Sequence, residues 1–428
     1  MSTNISNYIS KTLSIKDENI TFLGNIYNKK INKLNTNIHE AVLSYKATFC
    51  PKCGNINHSN IIKHGFKDTL VRLSSINGEP TAIKLKKQRF LCKCCKSTFV
   101  AETNVVDKFH SISKRLKLGV LDTISKKISE KDIAKILNVS HSTVSRYIDN
   151  AFKEFSPKKN FLPKHLSFDE FASTKDAKGA MSFIITDLDS SEVFDIVENR
   201  QLPFLIKYFS KFSKNARRSV KTIVIDMYKP YITLIKKLLP NTKIIFDRFH
   251  IVNNLSRAFN KTRIEVMKKL PTSSMDYKRL KRYWKLFQKK FSELDADNYN
   301  RFVHFKDLIS EAGVVHRSME IDKSLEDTYE IYQILLNDIN SKNADNLKIH
   351  LENFKDKGST YMQTAIKTLL KDFDYVKNAI AYRYSNGFTE GINNFIKALK
   401  RVAFGYKSFF HFRNRILITR KLKKMLRN

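Results

Sequence analysis

Apolar and polar residues change period along the chain, and each change marks a new kind of element. Between residues 54 and 91 the pattern alternates by two, in TLVRLSSI (69–76) and TAIKLKKQRFL (81–91). Asn77-Gly78 separates the two runs, which predicts a hairpin. From 112 to 127 the spacing becomes helical, and ISEKDIAKILNVSHSTVSRYIDN (128–150) continues it with a break. There Ser129 is placed to cap a helix with Asp132 three residues on, and Ile133, Ile136 and Leu137 form one apolar face. Asn138 sits at the break, where a residue tolerant of the left-handed conformation is wanted. Ser140 then caps a second helix whose inner face is Val144 and Ile148. This is a helix-turn-helix pattern. Pro157 and Pro163 mark a boundary near 155–163. Beyond it come strand patterns in HLSFDEFAS, MSFIITD and EVFDIVENR, a helix in LPFLIKYFSKF, a strand in KTIVIDMY, a helix in PYITLIKKLL and a strand in KIIFD. Three strands in a meander followed by alternating helix and strand predict a mixed sheet with helices. Residues 264–378 read as helices.

The chain has 428 residues, enough for about two to four domains. The expected fold class is therefore multidomain α+β. No apolar run reaches the roughly 18–20 residues of a membrane span, and the N-terminus lacks a secretory pattern. We expect an intracellular protein with no membrane partner.

Charge adds a partner. The formal net charge is +37, but it is unevenly placed: residues 271–380 carry +1 and residues 381–428 carry +11. Lysine-rich coding bias would not leave one block neutral. A polyanion touching both ends of the chain and not the neutral block explains the distribution, and nucleic acid is the expected polyanion.

Four of the five cysteines form two C-x-x-C pairs, Cys50/Cys53 and Cys92/Cys95. Each pair makes a knuckle, and two knuckles flanking a hairpin predict a zinc ribbon with a closed, structural Zn²⁺ site. Cys94 is the alternative to Cys95. The basic hairpin edge Lys84, Lys86, Lys87 and Arg89 is either a phosphate-contacting surface or a solvated face. In the helix-turn-helix, His141, Ser142, Thr143, Ser145 and Arg146 are expected to face the major groove.

Asp169 lies inside the first strand of the mixed sheet, and Asp226 ends the fourth. A carboxylate within an apolar strand is costly unless paired, hydrated or metal-bound. If those strands are neighbours, the two acids can share Mg²⁺ or Mn²⁺. Glu170, on the opposite strand face, is the rival of Asp169. Glu390 is the sole acid of residues 381–428 and the candidate third ligand, with a first-turn helix acid as the plainer reading. Asn393, Asn394, Lys397, Lys400 and Arg401 recur at helical spacing and are expected along a phosphate backbone. Phe404, Tyr406 and Phe409 are expected mainly in core packing, with stacking on a splayed base as the alternative.

With these stretches in hand, the chain resembles the ISL-three family of insertion-sequence transposases. The matching segments are CPKCG (50–54), RFLCKCC (89–95), the helix-turn-helix 128–150, LSFDEFA (166–172), IVIDMYKPY (223–231), FDRFHIVNN (246–254) and SNGFTEGINNFIKALKRVAFGY (385–406). The resemblance implies a zinc ribbon, a helix-turn-helix and an RNase H-like mixed α/β catalytic domain with a helical insertion. It assigns the catalytic triad to Asp169, Asp226 and Glu390, and places Asp247 and His250 near the site, where they order it or simply end a strand and cap a helix. The expected boundaries are an N-terminal segment 1–37, a ribbon 38–105, a DNA-binding domain 106–155, a catalytic domain 164–263 plus 379–428, and an insertion 264–378. The implied activity is Mg²⁺-dependent strand cleavage and strand transfer on double-stranded DNA, at element terminal inverted repeats and target. A homodimer or larger assembly on DNA and a cytoplasmic, nucleoid-associated location in a prokaryote follow. The rival readings are a non-catalytic DNA-binding regulator and a metal-dependent nuclease without strand transfer.

Overall fold

The computed structural model describes residues 2–31, 34–155 and 157–425, and side chains within 4–31, 34–153 and 157–421. The chain forms two compact units, residues 1–156 with 396–428, and residues 157–395. The expected boundaries placed 379–428 with 164–263; here residues 396–428 group with the first unit.

The first unit opens with helix α1 (Ser2–Thr12) and strands β1 (Ile20–Ile31), β2 (Leu34–Leu43), β3 (Ile61–Arg72), β4 (Thr81–Cys92) and β5 (Thr98–Val100). They make one sheet in the order β1-β2-β4-β3, with β5 on β4. The β3–β4 hairpin closes through Asn77 and Gly78, whose φ values of 51° and 82° are the left-handed pair that such a turn needs. The β1–β2 hairpin extends the ribbon, and β2 runs parallel to β4. Helices α2 (Lys114–Ile124), α3 (Glu130–Ile136) and α4 (His141–Phe155) follow. The Ser129 side chain accepts from the Asp132 amide at 3.0 Å, and Asn138 takes φ 51° at the turn. Val120, Ile124, Ile133, Val144 and Ile148 form the core of this bundle.

The second unit is built on strands β6 (His165–Ala172), β7 (Met181–Asp187) and β8 (Glu192–Val197), then helices α5 (Leu202–Phe209) and α6 (Lys214–Arg218), strand β9 (Thr222–Ile225), helix α7 (Lys229–Leu238) and strand β10 (Lys243–Phe246). The strand order is β10-β9-β6-β7-β8. The β6–β7–β8 meander is antiparallel, whereas β6, β9 and β10 are parallel. The near-continuous apolar runs of β7, β9 and β10 fit strands covered on both faces. Phe168 and Phe183 pack with Phe209 and Tyr231 of α5 and α7.

Helix α8 (Arg248–Lys269) leads into α9 (Met275–Arg282), α10 (Glu311–Met319), α11 (Lys323–Asn340), α12 (Ala344–Phe354), α13 (Thr360–Lys371) and α14 (Phe373–Ala381). One apolar core runs from the sheet through these helices. Helix α15 (Gly387–Val402) crosses the division between units, and α16 (Phe409–Met425) lies in the first unit, with Ile418 inside the helix-turn-helix core. Among the described residues no helix is long and apolar enough to cross a membrane.

Candidate active site and metal centres

The sheet topology brings three acids to one edge. Asp226 follows β9 and Asp247 follows β10, both at strand carboxyl ends, and Asp169 sits late in the neighbouring parallel strand β6. Crevices outside the carboxyl ends of parallel strands are where open α/β sheets bind ligands. By strand alternation Ser167 and Asp169 share the face that α15 covers, while Phe168 and Glu170 point to the other. Ser167 donates to Asn386 Oδ1 at 2.6 Å and lies 2.7 Å from the Thr389 hydroxyl, which also meets Thr186 at 2.8 Å. All four are buried. This network fixes the start of α15 against β6 and β7.

From that start, α15 reaches the acids. Asn393 donates to Asp169 Oδ2 at 2.8 Å. Asn386 approaches Asp226 Oδ1 at 3.5 Å through its side chain, and its backbone N–H donates to Asp247 at 3.2 Å. Asn393, expected along a phosphate backbone, here holds an acid. Glu390 lies four residues after Asn386 and three before Asn393, so all three share a helix face. Its side chain is on the exposed part of that face.

The electrostatics are those of a cluster short of positive charge. Burial pushes the Asp169 carboxyl up to about 7, and the Asp226 charge adds to the effect. Burial also raises Asp247. His250 Nε2 lies 3.0 Å from Asp226 Oδ1, and that hydrogen bond raises the imidazole above its ordinary value. Asp226, Asp247 and His250 offer ligand atoms all within 4.8 Å of one another. Hard oxygen donors and one imidazole, with Asp169 resisting ionisation, fit a divalent cation. The close set differs from the trio expected from sequence: it contains neither Asp169 nor Glu390.

Glu170 serves the other face. Its carboxylate pairs with Arg200 and accepts from the Tyr231 hydroxyl at 3.0 Å, and Arg200 stacks on Tyr228. The rival of Asp169 is thus engaged in structural contacts.

In the first unit Cys50, Cys53, Cys92 and Cys95 place all four sulfur atoms within 4.8 Å of one another. The Cys50–Cys95 and Cys53–Cys92 separations are both 3.7 Å. A tetrahedron with Zn–S bonds of about 2.3 Å has edges of about 3.8 Å. The backbone N–H of Cys53 lowers Cys50 to about 6. The backbone N–H of Asn55 favours the Cys53 thiolate, but the thiols around it and burial outweigh this and push Cys53 up to about 12. Crowded thiols that resist joint ionisation are what a Zn²⁺ ion relieves. The four cysteines support a structural zinc, and Cys94 stands outside the set.

On α4, the second helix of the helix-turn-helix, His141, Ser142 and Arg146 are exposed. Thr143 is buried with its hydroxyl 2.8 Å from Ser140, and Ser145 donates to Glu130 at 3.1 Å. Of the five residues expected at the groove, three are presented to solvent and two serve the fold.

Two comparisons bear on this arrangement. Residues 166–416 match a family described as transposase, of the ISL3 type, and residues 46–95 match the zinc-finger of transposase IS204/IS1001/IS1096/IS1165. A protein of Lactococcus lactis subsp. lactis named "ATP-dependent protease" is 34% identical over 110 residues, 26% of this chain. The match spans about 35% of that relative's length.

Proposed function

The chain belongs to the ISL3 family of insertion-sequence transposases, and from that membership we propose that it binds the terminal repeats of its element and cuts and rejoins DNA strands at the acid cluster of the second unit. One observation carries the reading: Asp169, Asp226 and the helix bearing Glu390 meet at one sheet edge, tied together by Asn386 and Asn393. Asp169, Asp226 and Glu390 would hold the metal once Asp169 and Glu390 close on the Asp226–Asp247–His250 cluster, with Asp247 and His250 ordering the pocket. Mg²⁺ or Mn²⁺ held there would supply charge stabilisation for the phosphodiester and lower the pKa of an attacking water.

The chain's own groups have distinct tasks. Asn393 fixes the Asp169 carboxylate, and Asn386 spans Asp226 and Asp247. His250 keeps Asp226 oriented and partly neutralised. The exposed position of Glu390 on α15 leaves its carboxylate free to turn toward a divalent cation beside a bound phosphodiester. The zinc ribbon and helix-turn-helix hold the duplex, with His141, Ser142 and Arg146 in the major groove. Asn394, Lys397, Lys400 and Arg401 follow the backbone. Both element ends must be processed together, so the working form is a dimer or larger assembly on DNA. The name of the partial relative suggests ATP-dependent chemistry, but the sequence has no GxxxxGK[ST] segment.

Asp169→Asn tests the assignment. The variant is expected to bind element-end duplex like the wild type and to lose Mg²⁺-dependent cutting by at least about 10²-fold. Undiminished cutting refutes the role of Asp169. The same labelled ends, scored for joined as well as cut product, separate transposase from nuclease; binding without either product by the wild type would indicate a regulator.

A further inference from the structure

A cavity of about 500 Å³ lies between α8 and α13 in the second unit. Its size suits a small organic ligand or a nucleotide, within the usual range of about 300–1,000 Å³. Ala258 and Ala365, both buried, line it and leave the space that larger side chains would fill. Asn253, Asn254, Arg257 and Lys261 of α8 also line it, at spacings of three, four and eight residues that keep one helix face turned inward. Tyr361 of α13 completes the lining, with Lys261 Nζ 5.6 Å from its ring centroid. His250 and Met227 belong to the same lining, and His250 touches Asp226. The cavity therefore adjoins the acid cluster.

The Asn253, Asn254 and Arg257 side chains make no hydrogen bond or ion pair among the described residues. Arg257 is a cation with no carboxylate paired to it among the described residues, on a helix (Arg248–Lys269) that carries Arg248, Lys261, Arg263, Lys268 and Lys269 against the single acid Glu265. Two free amides, two cations and an exposed aromatic ring are the components that bind a base edge, a phosphate and a base face respectively. A base still stacked in a duplex cannot enter such a recess.

We propose that this cavity receives one unpaired nucleotide of the DNA strand engaged at the acid cluster, its base on Tyr361 and its phosphate on Arg257 and Lys261. The inference rests on the DNA-processing reading above and gives it a substrate form: DNA with a single-stranded or unstacked position beside the cut.

The test uses the full-length protein without divalent cation, a labelled short blunt duplex, and the same duplex with a single-stranded thymidine overhang containing one 2-aminopurine. The overhang is expected to tighten binding roughly tenfold, the worth of about one stacked base. Tyr361→Ala and Arg257→Ala remove that gain while binding the blunt duplex as the wild type does, and Tyr361→Phe keeps it. The 2-aminopurine signal falls on binding to wild type and Tyr361→Phe but not to Tyr361→Ala. An overhang gain that survives both alanine variants overturns the proposal. So does binding of free ATP or dAMP that depends on Arg257 and Tyr361 with no overhang effect. Cutting by wild type in Mg²⁺ is measured in parallel. Cutting without an overhang gain defeats the pocket alone; an overhang gain without cutting defeats the assigned chemistry alone.

Discussion

Thr389 shows how much one hydroxyl organises here. It sits 2.7 Å from Ser167 and 2.8 Å from Thr186, and all three are fully buried. Thr389→Val keeps the shape and removes the shared partner, leaving Thr186 without its side-chain contact. Stranding a buried hydroxyl costs about 1–3 kcal/mol. A lower melting temperature, slower cutting and unchanged duplex affinity are expected. A variant with wild-type melting and cutting would show that the network does not position α15. Nothing in a strand such as HLSFDEFA announces this role, because a serine among apolar residues carries no pattern until its partner, more than two hundred positions later, is known. The Asn393–Asp169 contact was hidden for a related reason. Helical spacing reveals which residues share a face, not whether that face meets DNA or a sheet.

At the level of elements, α16 is the part least expected from sequence. His411 places both ring nitrogens against acids, Nε2 at 2.9 Å from Glu130 and Nδ1 at 3.2 Å from Asp149. Arg415 is buried and donates to the carbonyls of Lys126 and Ile128. Burial alone would lower His411, but the Glu130 and Asp149 bonds outweigh it and hold it above its ordinary 6.5. Burial would raise Glu130, but His411 and the Arg415 charge hold it below its ordinary 4.5. The histidine contribution is complete below about pH 6.5 and is lost as pH rises through its raised value; the Glu130 contribution is present above about pH 4.5 and is lost as pH falls through its depressed value. Docking of α16 is thus strongest between those limits. Hydrogen exchange in residues 409–425 should speed up as pH rises from about 6.5 through the raised His411 value, beyond the intrinsic base-catalysed increase, and His411→Gln should remove that excess. An excess of equal size in the variant would rule out His411 as its source.

Across the molecule, the strongest sequence signals were those set by chemistry that tolerates little variation. Paired cysteines, the Asn77-Gly78 turn and the apolar runs of β7, β9 and β10 all stand in the structure as elements of the expected kind. What stayed hidden depended on distant partners. The β1–β2 hairpin shows little alternation, because most of β1 is exposed. The helix-turn-helix reads as complete within 112–150, yet its core includes Ile418. A chain ending after Phe395 is therefore expected to lose at least about tenfold in duplex affinity despite keeping every recognition-helix residue, with a CD melt showing the sheet unit still folded. Full affinity in that shortened chain would show that α16 is dispensable for DNA reading.

Ile418 and Arg415 also set an order of events during synthesis. A ribosome makes α4 early, but the residues that finish its packing emerge only after the whole second unit has been translated. A nascent or prematurely stopped polypeptide thus carries an unfinished helix-turn-helix, whose packing is deferred until the second unit has been made.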